Sequence, residues 1–341
     1  MKYLSVCSGI EAATVAWSPL GWKAEAFSEI EKFPSSVLAH HYPNIPNYGD
    51  MIKFKEWKNA NIDVLVGGTP CQSFSVAGLR KGLDDPRGNL MLTYLAIAAK
   101  YRPKWLVWEN VPGVLSSNRG RDFGTFLGGL AEIGYGFSYR VLDAQYFGLA
   151  QRRKRVFVVG CIGDWRASAA VLFERHSLSG DSTPSQEEKK IPPPNSNRGF
   201  DREGISVVND RVVGTLDTQC GFQNQTHQSL SSGHYVVNDN SHVVPTSNIL
   251  LKNDKDSIDS PIRRLTPLEC ERLQGFPDDY TKIPYRNKAV SRCPLGSRYK
   301  AVGNSMAVPV VRWIGERIII VDKLVNDVAH PPISINQEEL T

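Results

Sequence analysis

Three short stretches carry side chains able to do chemistry; two sit where an apolar run ends and the third leads into one. In Gly67-Gly68-Thr69-Pro70-Cys71-Gln72-Ser73-Phe74-Ser75 a cysteine follows an apolar run, two glycines and a proline. The glycines let the backbone turn sharply and the proline stiffens it. A thiol just past the carboxyl end of a parallel strand lies where open α/β sheets place their ligands. Its thiolate is a nucleophile when nearby positive charge favours it; the plainer reading is a buried structural cysteine. In Trp108-Glu109-Asn110-Val111-Pro112 an acid ends a second apolar run. Glu109 then points into the same crevice, where apolar neighbours suit a carboxyl to donate a proton; the alternative is an ordinary helix cap near Asn110. In Gln151-Arg152-Arg153-Lys154-Arg155 strand alternation puts Arg153 and Arg155 on one face and Arg152 and Lys154 on the other. The first face can grip a base or phosphate with forked guanidinium groups; the alternative is a solvated cluster of edge charges. A fainter pattern is Cys7-Ser8-Gly9 between a strand and a helix, with Glu29 ending the next strand, placed to accept hydrogen bonds from ribose hydroxyls. No full G-x-G-x-x-G accompanies it.

Positioning these groups requires a sheet. Residues 2–6, 23–29, 62–66, 105–108 and 155–159 are predicted strands, and 11–17, 32–41, 90–100 and 123–133 predicted helices. Their alternation predicts an α/β fold with a parallel sheet covered on both faces. From Ser177 to Ser260 the chain turns polar, with Pro192-Pro193-Pro194 and isolated apolar pairs such as Val212-Val213 and Val236-Val237. Order resumes at Arg263, and residues 301–320 read as a loop and a final helix.

The chain has 341 residues, a formal charge of +5, 41% hydrophobic and 22% charged residues. It can bury a core and is not of disordered composition. No stretch nears the ~18 apolar residues that span a membrane; Ile318-Ile319-Ile320-Val321 is cut off by Asp322 and Lys323. The start lacks a secretory pattern, and Cys7, Cys71, Cys161, Cys220, Cys270 and Cys293 form no Cys-x-x-Cys. A reducing cytoplasm is expected, and the mild positive charge permits nucleic acid as partner.

In order and spacing these stretches resemble the DNA cytosine-C5 methyltransferase family. Pro70-Cys71-Gln72 matches its catalytic loop, Glu109-Asn110-Val111 its acidic motif, and Gln151, Arg153 and Arg155 its Gln-x-Arg-x-Arg. The run from Arg264 through Thr266-Pro267-Leu268-Glu269 to Gln274-Gly275-Phe276-Pro277 resembles the segment that shapes the recognition domain. Tyr299-Lys300-Ala301-Val302-Gly303-Asn304-Ser305-Met306 resembles the last motif, which returns to the cofactor pocket. The likeness covers residues 2–320 apart from most of 177–261, and the opening looks most like phage and prophage enzymes. Departures are Cys7, where the family usually has Phe, Glu11 and Ala12, where it has Gly, and Asp143, where it often has Asn. A Glu at position 11 would suit a helix start but sit near an acidic end of the cofactor pocket.

The resemblance implies a Rossmann-like S-adenosylmethionine-dependent methyltransferase fold with a mostly parallel sheet, plus a smaller β-rich target recognition domain. Residues 1–164 would be the catalytic and cofactor-binding domain and 165–298 the recognition domain, with 177–198 flexible; 299–325 would return to the catalytic domain, and 326–341 form a tail. Cys71 would be the nucleophile, Glu109 the acid, and Arg153 and Arg155 would hold the base. Ser8, Gly9, Glu29, Ile30, Asp50, Met51, Pro70, Leu90, Asn304 and Ser305 would bind S-adenosylmethionine. Gln72, Ser75, Arg80, Arg87 and Gln151 would contact DNA, and residues 73–88, with Gly78, Gly82 and Gly88, would close as a lid. The partner is double-stranded DNA, without metal or membrane, for a monomer in a bacterial host. Two alternatives remain: the same chemistry on tRNA, and a non-catalytic DNA-binding protein on this fold. Methyl transfer to RNA discriminates the first; loss of Cys71 or Glu109 would mark the second, and both are present.

Overall fold

The computed structural model describes residues 1–70, 90–173, 235–237 and 262–329. Cys71, Gln72, Ser75, Arg80, Arg87 and most of the polar stretch lie outside the described residues.

Six strands form the main sheet, in the order β2-β1-β3-β4-β6-β5. β1 (Lys2–Val6), β2 (Lys23–Ser28), β3 (Val64–Gly67) and β4 (Trp105–Asn110) pair in parallel, and β6 (Lys154–Ile162) runs antiparallel between β4 and β5 (Tyr135–Asp143). The sheet is therefore mostly parallel, with one reversed strand. A short antiparallel pair, β7 (Tyr235–Val237) with β8 (Ile262–Arg264), stands apart from it. The helices are α1 (Ala12–Trp17), α2 (Lys32–His41), α3 (Leu90–Tyr101), α4 (Arg121–Glu132), α5 (Trp165–Leu172), α6 (Pro267–Gln274), α7 (Leu295–Asn304) and α8 (Val308–Ala329).

The period-two alternation of strand side chains sorts the core onto two faces. Tyr3, Val64, Val66, Trp105 and Val107 pack toward α1, α5 and α8. Leu4, Leu65, Leu106 and Trp108 pack on the opposite face, under α3 and α4. Leu265, Cys270, Ala301 and Val302 join the first cluster, so segments from both halves of the chain share one core. α8 is fastened to the N-terminal region by Trp17 Nε1, which donates to the Val311 carbonyl at 2.8 Å, and by Trp105 Nε1, which donates to Asp322 at 3.1 Å. Gly315 makes the first contact possible: a Cβ there would lie 2.5 Å from Trp17 Nε1.

β5 is absent from the sequence reading for a physical reason. It is an edge strand with most of its side chains half-buried or exposed, so it carries no clean alternation. β4 runs two residues further than expected. Asn110 is thus the buried last residue of a strand and caps no helix. Among the described residues no helix is long and apolar enough to cross a membrane, and no group of three or more His, Cys, Asp or Glu could hold a metal ion.

Candidate active site

A cleft of about 1040 Å³ opens at the carboxyl ends of β1, β2, β3 and β4 and reaches α2 and α7. Its deep end is built by β3 and β4. Gly67 and Gly68 let these strands approach what lies beside them: a Cβ on Gly67 would sit 2.4 Å from the Val6 carbonyl oxygen, and one on Gly68 2.9 Å from Glu109 Oε2. The next residue, Thr69, is fixed from β4 at two atoms. Trp108 Nε1 donates to Thr69 Oγ1 at 3.0 Å, and Asn110 Nδ2 donates to the Thr69 carbonyl at 2.8 Å. Asn110 Oδ1 accepts from Val111 N at 2.8 Å. The backbone that leads into Cys71 is therefore clamped to the strand that carries Glu109.

Glu109 Oε1 lies 3.2 Å from Arg155 Nε, both side chains nearly shielded from solvent. Burial raises the Glu109 pKa, opposed by the positive charges of Arg153 and Arg155. The result is a carboxyl that holds its proton more readily than a surface acid. Arg153 and Arg155 both line the cleft, as strand alternation predicts. Their surroundings differ. Arg153 is buried and its Nη2 donates to the carbonyls of Gly303 at 3.1 Å and Ser305 at 2.7 Å. Burial, followed by Arg155, pulls its pKa down to about 9, which leaves it cationic at neutral pH. Gln151 is 0% exposed, with neither amide atom hydrogen-bonded. In this arrangement it presents no surface to a nucleic acid.

The other end of the cleft is acidic and partly apolar. Glu29 Oε2 accepts from Gly9 N at 2.8 Å and Oε1 from Glu31 N at 2.7 Å, tying the turn after β1 to the turn after β2. Gly9 has φ +57° and nothing within 4 Å of where a Cβ would stand, so bare backbone faces open space. Asp50 caps the short helix Met51–Glu56 by accepting from Ile52 N at 3.0 Å. Ile30 is 69% exposed at the rim. Gly9, Glu29, Ile30, Asp50, Met51, Pro70, Leu90 and Asn304 line the cleft. Ser8 and Ser305 stand behind it: the Ser8 hydroxyl donates to the Ser5 carbonyl at 3.0 Å, and Ser305 offers its carbonyl to Arg153.

The two departures in the first turn resolve differently. Cys7 lines the cleft, and its thiol donates to Met51 Sδ at 3.4 Å. Burial, reinforced by Glu29 and Asp50, pushes its pKa up to about 12, so it is a neutral thiol. Glu11 points away from the cleft. Its side chain is buried, accepting from Ser5 Oγ at 2.8 Å and from Thr14 N and Oγ1, each at 3.1 Å, and it caps α1 from a left-handed backbone (φ 67°). Its position at the start of α1 is as expected, and the charge of Glu29 in the cleft still acts on it. Asp143 is likewise structural, accepting from Arg153 N at 2.9 Å and Gln145 Nε2 at 2.8 Å.

Sequence reasoning passed over Thr69, the anchor described above, and the rim formed by Glu31 and Lys300. Lys300 Nζ reaches both Glu31 carboxylate oxygens at 2.8 Å across the mouth. The partners are 269 residues apart, and only the strand register that sets Gly67 opposite Trp108 would have pointed to Thr69.

Residues 1–320 match the sequence model of the family described as C-5 cytosine-specific DNA methylase. A protein of Escherichia phage P1, described as a DNA N-6-adenine-methyltransferase, is 35% identical over 93% of this chain, which spans 61% of that protein's length. The Type II methyltransferase M1.ScrFI of Lactococcus lactis subsp. cremoris is 32% identical over 86% of this chain and 71% of its own. The crystal structure of S. pombe Dnmt2 methyltransferase superposes with a TM-score of 0.66 over 95% of this chain and 99% of that one, at 16% identity, a likeness of fold. With the clamped strand ends and the paired Glu109 and Arg155 in place, the chain belongs to the C-5 cytosine-specific DNA methylase family, whose members move a methyl group from S-adenosylmethionine to carbon 5 of cytosine in DNA.

Proposed function

We propose that the chain methylates a cytosine flipped out of a short specific site in double-stranded DNA, with Cys71 as covalent nucleophile. The observation that carries this reading is the buried Glu109 beside Arg155, on the strand that also clamps the backbone leading to Cys71. Carbon 5 of cytosine is too weak a nucleophile to take a methyl group unaided. Attack of the Cys71 thiolate on C6 moves electron density to C5 while Glu109 donates a proton at N3, so no negative charge builds on the ring. Arg155 holds the O2 side. C5 then takes the methyl group; loss of its proton, expulsion of the Cys71 thiolate and return of the N3 proton to the Glu109 carboxylate restore the ring. Arg153, with its Nη2 on two backbone carbonyls, supports this pair from behind.

The cleft fits S-adenosylmethionine by its donor set. Glu29 and Asp50 offer carboxylate oxygens to hydroxyl and amino groups, Ile30 an exposed apolar surface to a flat ring, and Gly9 bare backbone to close approach. Met51, Pro70, Leu90 and Asn304 complete the walls. When bound, the cofactor supplies an electrophilic methyl group. Flipping the base costs a few kcal/mol, and Gln72, Ser75, Arg80 and Arg87 are the proposed contacts to the duplex, with Gln151 joining them only if what covers it moves. Target choice falls to the variable region, roughly residues 164–260. The working form is a cytoplasmic monomer.

The phage P1 relative's description names another base position, N6 of adenine. An exocyclic amine needs no thiolate to activate it, so a cysteine in Pro70-Cys71-Gln72 together with a buried Glu109 favours carbon 5. Expression with a plasmid in a host lacking cytosine methylation tests this. Sequencing that reports 5-methylcytosine should find it confined to one short motif. N6-methyladenine alone, or 5-methylcytosine confined to tRNA, would overturn the assignment.

A further inference from the structure

The last turn of α7 is held from two sides. The final carbonyls of a helix have no partner within it, and here side chains from distant segments take them up. Arg153 Nη2 donates to Gly303 O at 3.1 Å and Ser305 O at 2.7 Å. Gln274, the last residue of α6, is fully buried, and its Nε2 donates to Val302 O at 3.1 Å and to the same Ser305 O at 3.0 Å. Between these bonds stands Asn304, exposed and lining the cleft. The first turns of α7 are fixed separately by Arg298 Nη2, 2.9 Å from Glu271 Oε1. Gln274 therefore governs the end of the helix and leaves its docking intact.

The geometry points to Gln274 as a positioning residue: sharing the Ser305 carbonyl with Arg153, it sets Asn304 in the cofactor cleft. This rests on the reading of the cleft as the S-adenosylmethionine site. A Gln serves because its amide nitrogen offers two donors to two carbonyls; Met has the shape without the donors, and Glu has acceptors only.

Titration of S-adenosylmethionine into wild-type protein, Gln274→Met and Gln274→Glu, without DNA, tests the role. The expected result is a Kd raised about tenfold in Gln274→Met and further in Gln274→Glu. In steady state with duplex DNA, KM for S-adenosylmethionine should rise in Gln274→Met while kcat stays within about twofold. A purely structural role would lower Tm and the active fraction and leave Kd and KM alone, and that result overturns the proposal. If the variants do not fold, hydrogen exchange on wild-type protein reads the same role. Protection rising together in α6 and at residues 302–305 on cofactor addition supports it; protection confined to 302–305 overturns it. Wild-type protein that takes up no S-adenosylmethionine overturns the reading of the cleft as well, whereas wild-type binding with unchanged variants overturns the positioning role alone.

Discussion

Glu109 combines a raised pKa with a partner, Arg155, that can hold its ionised form. A group that donates a proton is competent below its pKa, so turnover should fall at the alkaline side as Glu109 ionises. Glu109→Gln should lower kcat about 10²-fold, the scale of a positioned acid, and erase that alkaline limb in a pH–rate profile. Cys71→Ala should abolish methyl transfer in a labelled-methyl assay while DNA binding by gel shift persists. Glu11 gives a stability prediction. Burial raises its pKa from 4.5 to about 7. Between those values the folded protein keeps a proton the unfolded chain has released, so stability falls as pH rises through this window and levels off above it. The full effect is about 3 kcal/mol. Chemical denaturation at pH 5 and pH 8 should show most of that difference, with the protein less stable at pH 8, and Glu11→Gln should flatten it. Of these residues, Glu109 was legible by its type and by its position at the end of an apolar run. Glu11 was not, because what decides its role is Ser5 and Thr14 closing around it.

At the scale of elements, α2 appears at the residues its pattern indicated, and β1 as well. Both carry local signals: a strand of apolar residues entering a small-residue turn, and a helix stopped before Pro43. β5 was hidden by its edge position, and the last residues of β4 by their polarity, since Glu109 and Asn110 read as the end of a strand and are in fact paired with Phe157 and Val156. The contact of α1 with α8 was equally invisible, yet it makes a sharp prediction. Gly315→Ala would push a methyl group against a fully buried Trp17. Overpacking of this kind costs about 1–3 kcal/mol, which a thermal melt should read as a lowered Tm with the cofactor Kd unchanged.

At the scale of the whole molecule, the cleft is assembled from parts that lie far apart in sequence: the turns after β1 and β2, the ends of β3 and β4, and the last turn of α7. A ligand that bridges such parts stabilises the entire fold. At a hundredfold excess over Kd, S-adenosylmethionine should add about 2.7 kcal/mol, seen as a concentration-dependent rise in Tm. An unchanged Tm at saturating cofactor would count against the cleft as its site. The order of motifs along the chain was enough to indicate this assembly. The ties that hold it, such as Lys300 with Glu31 and Gln274 with Ser305, depend on packing between segments that share no local pattern.

The bond from Trp17 to the Val311 carbonyl spans 294 residues. A ribosome adding about 5–20 residues per second needs about 15–60 s to cover that distance. Throughout that interval the first helix has emerged, and the partner for its apolar side does not yet exist. Tyr3 and Trp22 can already flank Trp17, but the side of α1 that α8 will cover stays open to chaperones and to other nascent chains. Slowed translation late in the message would lengthen that exposure, and the yield of active enzyme would fall even though every residue is correct.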